Sequence, residues 1–136
     1  MNPTGRLVEI LLKIPDNTAY TALVALRRLG VDVSRVERGV LRFFDEEEPV
    51  EELIVRIQSD ETIFNPNVHR LRLRDGAAPD SGEVWIESLD ETVPAVAWRL
   101  FDSRERPLSE PALRAAAERL LCNPSIDKAI VGSTGT

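Results

Sequence analysis

Along this chain the spacing of hydrophobic residues switches repeatedly between two periods, and this switching constrains the fold more than any other feature of the sequence. Residues 6–14 form a short, almost continuous apolar run that Pro15 ends, which is typical of a largely buried strand. From Asp16 to Gly30 the apolar residues instead recur every three or four positions, as they do along one face of a helix. The chain is therefore predicted to begin with a strand and a helix.

The same two patterns continue to the end of the chain. They predict further strands and helices, with strands at residues 36–44, 69–74, 83–87, 95–101 and 126–131, and helices after Pro49 and at 109–121. The acidic residues 45–48 ahead of Pro49 favour a helix start, because carboxylates stabilise the positive end of the helix dipole. We predict an α+β fold, a two-layer sandwich in which helices cover one face of a mainly antiparallel sheet.

Length and cysteine content bound the kind of protein. A chain of 136 residues with 43% hydrophobic content has the size of one ordinary domain, here residues 1–136. Its single cysteine, Cys122, allows no internal disulfide and favours a reducing, cytoplasmic location. The sequence has no apolar run near 18 residues and no basic segment leading into an apolar one. We therefore expect neither secretion nor a membrane partner.

Charge and aromatic content argue against nucleic acid as a partner. The formal net charge is −6, so a polyanion is repelled on average. Only 5% of residues are aromatic, and they do not cluster into a platform on which bases could stack.

Residues that could carry chemistry are scattered. His69 is the only histidine, so one chain cannot build a histidine pair or a triad, and a structural role is expected. Cys122 follows the apolar end of a predicted helix and is expected to be a small core residue. The acidic run 45–48 lacks the spacing of a calcium loop, and the glycines form no phosphate loop. The sequence therefore predicts no catalytic residue, cofactor or metal, and hence no enzyme.

Two features favour contact with another molecule, and each has a structural alternative. Arg70, Arg72 and Arg74 fall on one side of a predicted strand, where they could grip a carboxylate or phosphate, or guard an exposed sheet edge against aggregation. Trp85 shares a side of its strand with Glu83 and Glu87, and could be a half-buried packing residue or an interface anchor.

Short words recur along the chain. Leu-Arg-Phe-Phe-Asp at 41–45 is echoed by Trp-Arg-Leu-Phe-Asp at 98–102, and Asn-Pro at 65–66 by Asn-Pro at 123–124. These echoes predict an internal duplication, with a first unit at 6–74, a linker at 75–82 and a second, truncated unit at 83–132. The second unit has only residues 88–94 where the first has a helix.

These words resemble one family, the small S subunit of phosphoribosylformylglycinamidine synthase. The family pattern of a helix ending in Leu-Gly, followed by a Val-x-x-Val-x-x-Gly strand, looks like Leu26 to Gly30 followed by Val33, Val36 and Gly39. The family's second helix ends near an Asn-Pro, as at both Asn-Pro words here. The resemblance covers residues 6–73 well and 83–132 loosely.

The resemblance implies a ferredoxin-like fold and a noncatalytic role. Members of that family pair edge to edge and bridge the glutaminase subunit to the ATP-dependent synthetase subunit in purine biosynthesis. A duplicated chain is similar to two S subunits fused, and a homo-oligomer is expected. Part of the partner surface is then expected on exposed arginines, namely Arg38, Arg42, Arg70 and Arg72.

A different class of function stays open on the sequence. Strand-helix-strand repeats also build regulatory modules that bind an amino acid or nucleotide between paired units. A ligand that binds only the folded state raises its apparent stability, so thermal shift distinguishes a sensor from a scaffold.

Overall fold

The computed structural model describes residues 5–45, 49–74 and 78–132. These residues form an α+β fold with strands β1 Gly5–Leu12, β2 Arg35–Asp45, β3 His69–Arg74, β4 Glu83–Ser88, β5 Ala95–Phe101 and β6 Asp127–Val131. The helices are α1 Asn17–Arg28, α2 Val50–Gln58 and α3 Glu110–Ala116, and α3 continues into a π-helical turn at Ala117–Leu121. The described strands form a six-stranded sheet in the order β3-β1-β2-β5-β4-β6. The predicted α+β class and antiparallel strand pairing are confirmed.

Local sequence explains where the helices begin. The side chain of Asp16 accepts a hydrogen bond from the Ala19 N–H at 3.1 Å, and so caps α1. Gly30 follows that helix with φ of 89°, a left-handed conformation that glycine adopts readily. Ser109 caps α3 in the same way as Asp16, at 3.4 Å from the Ala112 N–H. The predicted acidic start of α2 falls mostly on residues 46–48, which lie outside the described residues.

Packing divides the described chain into two compact units. One contains residues 5–15 and 39–74, and the other contains residues 16–38 and 78–132. α1 therefore groups with the later residues, although the repeated sequence words predict it in the unit 6–74. The reason lies in its buried stripe, since Leu26 shares a hydrophobic core with Val84, Leu100 and Leu113.

The first unit is built on β1. This strand pairs antiparallel with β2 on one side and with β3 on the other. Its residues Val8 and Ile10 pack against Leu53 and Ile57 of α2, together with Phe64. Leu53 and Ile57 form the buried face of α2.

The second unit is built on β4 in the same way. This strand pairs antiparallel with β5 and with β6. Its residues Val84 and Ile86 pack in a core to which both α1 and α3 contribute. Each unit thus has a central strand that pairs with the next strand and with the last strand of that unit.

The two Asn-Pro words form turns with the same hydrogen bonds. Oδ1 of Asn65 accepts from the N–H of Asn67 at 3.0 Å, and Oδ1 of Asn123 accepts from the N–H of Ser125 at 3.1 Å. In both turns the carbonyl oxygen of the first asparagine also accepts from the N–H groups three and four residues later. Each turn then leads into the strand that pairs with the central strand of its unit.

The other echoed words are not structurally equivalent. On the first central strand Val8 lies opposite Arg42, and on the second Val84 lies opposite Trp98. Arg42 therefore matches Trp98, although the sequence words align Leu41 with it. A shift of one residue turns a side chain to the other face of a sheet, so Leu41 and Trp98 lie on opposite faces relative to their central strands.

Candidate partner-binding surface

Arg70 and Arg72 lie together on one face of β3. In the strand register Arg70 is opposite Leu11 and Arg72 is opposite Glu9. Both arginines are exposed, and the side chain of Arg72 is 44% accessible. Its Nη1 lies 3.7 Å from Oε1 of Glu9. This pair of guanidinium groups is the part of the predicted arginine surface that the structure brings together.

Arg42 lies on the opposite face of the same unit. Its partner in the register is Val8, whose side chain points towards α2. Arg42 is half-buried. Hydrogen bonds from Thr62 lower the pKa of Asp60, and the positive charge of Arg42 adds to this effect. Arg42 is therefore separated from Arg70 and Arg72 by the thickness of the sheet.

Arg38 belongs to the second unit and is held there by its neighbours. Its Nε lies 2.9 Å from Oδ2 of Asp16, the residue that caps α1. Its guanidinium carbon lies 5.9 Å from the ring centroid of Trp98. Its side chain is only 24% accessible. These contacts give Arg38 a structural role at the start of α1.

Arg74, the third arginine of β3, is not part of an exposed surface. Its side chain is 2% accessible, and its Nη1 lies 3.0 Å from Oε1 of the fully buried Glu9. A buried charge must be paired, since the protein interior solvates it poorly. Arg74 and Glu9 therefore form a structural ion pair, so that of the three arginines on this face of the terminal strand β3 only Arg70 and Arg72 are exposed.

Gly39 gives Glu9 the space that it occupies. A Cβ built on Gly39 would collide with Oε2 of Glu9 and would lie 2.6 Å from its Cγ. In the register Gly39 is paired with Leu11, and Glu9 is paired with Leu41. The side chain of Glu9 therefore extends diagonally over Gly39. The glycine of the Val-x-x-Val-x-x-Gly word thus has a steric reason in this chain.

The second unit contains a comparable buried cluster. Nη1 of Arg99 lies 2.9 Å from Oε2 of the fully buried Glu83, and its Nε lies 3.3 Å from Oε1 of Glu37. The N–H of Asp80 donates to Oε1 of Glu83 at 2.9 Å. These buried carboxylates are the polar residues that the sequence analysis missed. A usable signal existed, since Glu9 interrupts an apolar run and Glu83 directly precedes one.

The structure also places the other residues singled out from the sequence. Trp85 is 3% exposed and so is a packing residue, which removes it as an interface anchor. Nδ1 of His69 accepts from the N–H of Asn65 at 2.9 Å and thereby closes the first Asn-Pro turn. Cys122 packs against the core of the second unit. Burial, and secondly the charge of Asp127, raise the pKa of its thiol.

Metal-binding clusters and membrane-spanning helices are absent from the part of the chain that the structure describes. Across residues 5–45, 49–74 and 78–132, no group of three or more His, Cys, Asp and Glu side chains is placed to hold a metal ion. Within the same residues, every helix is too short or too polar to cross a membrane.

Two open depressions lie along α1. The first has a volume of about 480 Å³ and is lined by the outer side of α1, including Tyr20, Val24 and Leu29. The second, of about 430 Å³, is bordered by α1, Trp98 and Leu121. Arg28 is the single charged residue among the described residues that line them. The other residues that line the two depressions are apolar or uncharged polar residues.

Arg70 and Arg72 are thus exposed on one face of β3, while Arg74 and Arg99 are engaged in buried ion pairs. The chain matches no protein-family model, no curated protein and no solved structure.

Proposed function

We propose that the protein is a noncatalytic scaffold that bridges the glutaminase and synthetase subunits of a glutamine-dependent amidotransferase assembly, as the small S subunit of phosphoribosylformylglycinamidine synthase does. The observation that carries this proposal is that the two units pair their strands in the same way. In each unit the central strand pairs antiparallel with the next strand and with the last strand. In each unit an Asn-Pro turn with the same hydrogen bonds precedes the last strand.

Register supports an internal duplication. Val8 and Leu73 are paired in the first unit, as Val84 and Val131 are in the second. One step beyond each central strand, the N–H of Lys13 donates to the carbonyl of Val68, and the N–H of Leu89 donates to that of Ile126, both at 2.8 Å. Two fused S-like units would give this correspondence. In the proposal, residues 88–94 replace the helix that the second unit lacks.

The distribution of charge supports a role in protein contacts. Arg74 and Arg99 are engaged in buried ion pairs that hold strands together, whereas Arg70 and Arg72 remain exposed on β3. Exposed guanidinium groups bind carboxylates of a partner with good geometry and influence the rate of association. Further copies of the chain complete the proposed assembly.

Capture of partners from the native lysate tests this function. The tagged protein is incubated with lysate, glutamine and a magnesium nucleotide, and bound proteins are identified by mass spectrometry. We expect the glutaminase and synthetase subunits to be recovered. Recovery of neither subunit would count against the scaffold role.

Charge reversal gives this experiment a matched control. The variant Arg70→Glu with Arg72→Glu is expected to capture less of both subunits with unchanged circular dichroism. The control variant Arg27→Glu with Arg104→Glu changes the same net charge at two exposed arginines outside β3. It is expected to capture as much as the wild type. Equal capture by both variants would remove Arg70 and Arg72 from the partner surface.

A further inference from the structure

The outer edge of β3 has no neighbouring strand among the described residues. β3 is a terminal strand of the sheet and, among the described strands, pairs with β1 alone. The hydrogen bond from the Lys13 N–H to the Val68 carbonyl shows which pairs of this ladder are hydrogen-bonded. Hydrogen-bonded and non-hydrogen-bonded pairs alternate along an antiparallel ladder. Since the pair of Lys13 and Val68 is hydrogen-bonded, Arg70 and Arg72 also exchange backbone hydrogen bonds with β1. The N–H and C=O groups of Leu71 and Leu73 therefore point away from the sheet.

The side chains of β3 determine which strand can be added. Its sequence is His-Arg-Leu-Arg-Leu-Arg. In antiparallel pairing with a second copy, Arg72 would face Arg72 or Arg70, and like charges directly opposite each other destabilise a sheet. An added strand with acidic residues at alternate positions would instead place carboxylates beside Arg70 and Arg72. Its other residues would contact Leu71 and the 41% exposed Leu73.

We propose that the free edge of β3 binds an extended acidic segment of a partner protein by strand addition, with acidic and apolar residues alternating along that segment. This inference rests on the proposed scaffold function, because the segment would belong to one of the bridged subunits. Backbone hydrogen bonds to Leu71 and Leu73 provide affinity, and the two exposed arginines provide the preference for carboxylates.

Selective N-methylation of a peptide tests the geometry. The probe is a fluorescently labelled peptide of alternating glutamate and valine. Valines opposite Leu71 and Leu73 would point their N–H groups towards β3, whereas the glutamate N–H groups would point away. N-methylation of the valines is therefore expected to weaken binding at least about tenfold. N-methylation of the glutamates is the matched control and is expected to leave binding unchanged.

Charge and location are tested with the same peptide. A lysine-valine peptide is expected not to bind, and a single-stranded oligonucleotide is expected not to compete. Arg70→Glu with Arg72→Glu should weaken binding about tenfold, and bound peptide should slow amide exchange at Leu71 and Leu73. Equal binding of the two N-methylated peptides would overturn the inference, and so would binding of the lysine peptide as tight as that of the glutamate peptide. Competition by the oligonucleotide would overturn it as well. So would the absence of binding at millimolar concentrations of the glutamate peptide.

A proline variant separates this inference from the proposed function. Leu73→Pro removes an N–H that points away from β1, so the sheet is expected to persist, as circular dichroism will verify. Loss of at least one of the two subunits from the lysate capture with this variant supports edge binding. Undiminished capture overturns edge binding while the scaffold function stands. Peptide binding with the expected methylation pattern, but without capture of either subunit by the wild type, supports the edge and contradicts the scaffold.

Discussion

Glu9 and Gly39 show how one buried side chain restricts the residue type on a neighbouring strand. Glu9 is fully buried and ion-paired with Arg74, and its carboxylate occupies the space in which a side chain at position 39 would begin. Any Cβ at that position must displace the carboxylate from its arginine. The glycine is therefore required by a contact with a distant residue, and not by a turn.

Gly39→Ala is accordingly expected to destabilise the protein by about 3 kcal/mol, because the new methyl group pushes Glu9 away from Arg74. Chemical denaturation measures this change in the free energy of unfolding. The same substitution in a Glu9→Ala background should cost little, since the colliding side chain is gone. An equal cost in both backgrounds would contradict the steric explanation.

Arg74 and Arg72 form a matched pair for testing burial. Their Nη1 atoms lie 3.0 and 3.7 Å from the same oxygen of Glu9, but their side chains are 2% and 44% accessible. Arg74→Ala leaves a buried carboxylate without its close partner and is expected to cost about 3–5 kcal/mol. Arg72→Ala is expected to cost less than about 1 kcal/mol. If the two variants lose similar amounts of unfolding free energy in urea denaturation, burial does not determine how much each arginine contributes to stability.

Cys122 offers a test of pH dependence at the residue scale. Burial, followed by the negative charge of Asp127, raises the pKa of its thiol, so less reactive thiolate is present at a given pH. We expect alkylation by iodoacetamide at pH 8 to be slower in the folded protein than in urea. The midpoint of its pH-rate profile should lie above that of a short cysteine peptide. A midpoint at or below that of the peptide would contradict this prediction.

At the scale of elements, the two Asn-Pro turns determine how each last strand enters the sheet. Asn65 and Asn123 each accept one hydrogen bond on the side chain and two on the carbonyl oxygen. The residues that follow each Asn-Pro differ, but the two turns have the same hydrogen bonds. Sequence could identify these turns, because an Asn followed by Pro carries its own local hydrogen-bonding chemistry.

Asn65→Ala and Asn123→Ala each remove the side-chain acceptor and are expected to cost similar amounts, about 1 kcal/mol in the free energy of unfolding. The control is Asn67→Ala, since the exposed Asn67 contributes its main-chain N–H to the first turn. This control should leave stability almost unchanged. A large cost at one asparagine and none at the other would argue that the turns are not equivalent.

Strand register, by contrast, was not evident from the sequence words. The words at 41–45 and 98–102 align arginine with arginine, yet Arg42 occupies the position of Trp98 in the pairing with the central strand. Register depends on which side chains the facing layer must bury, and that layer is distant in sequence. Matching letters therefore identified similar strands but shifted them by one residue.

At the scale of the whole molecule, α1 connects β1 to β2 but packs in the core of the second unit. Leu26 is fully buried in the core of the second unit, and Leu53 is fully buried in the core of the first. Both tryptophans, Trp85 and Trp98, belong to the second unit. Tryptophan fluorescence therefore reports on the second unit.

This arrangement allows a test of the prediction that residues 1–136 form a single domain. Leu26→Ala and Leu53→Ala each remove a fully buried side chain and are expected to cost about 3 kcal/mol. If the chain unfolds cooperatively, both variants should shift the tryptophan-monitored denaturation midpoint by similar amounts. A shift for Leu26→Ala alone would show that the second unit unfolds independently of the first.

The sequence by itself determined the strands, the helices and the two Asn-Pro turns, because hydrophobic period, capping residues and turn residues act over a few positions. It also limited the candidate site to arginines on strands. Only the tertiary structure decided which of them are exposed. Arg70, Arg72 and Arg74 alternate identically along β3, yet only Arg74 is buried, where its Nη1 lies 3.0 Å from Oε1 of Glu9, a residue 65 positions away in sequence. Burial of this kind depends on packing between distant segments, which no local pattern of residues carries.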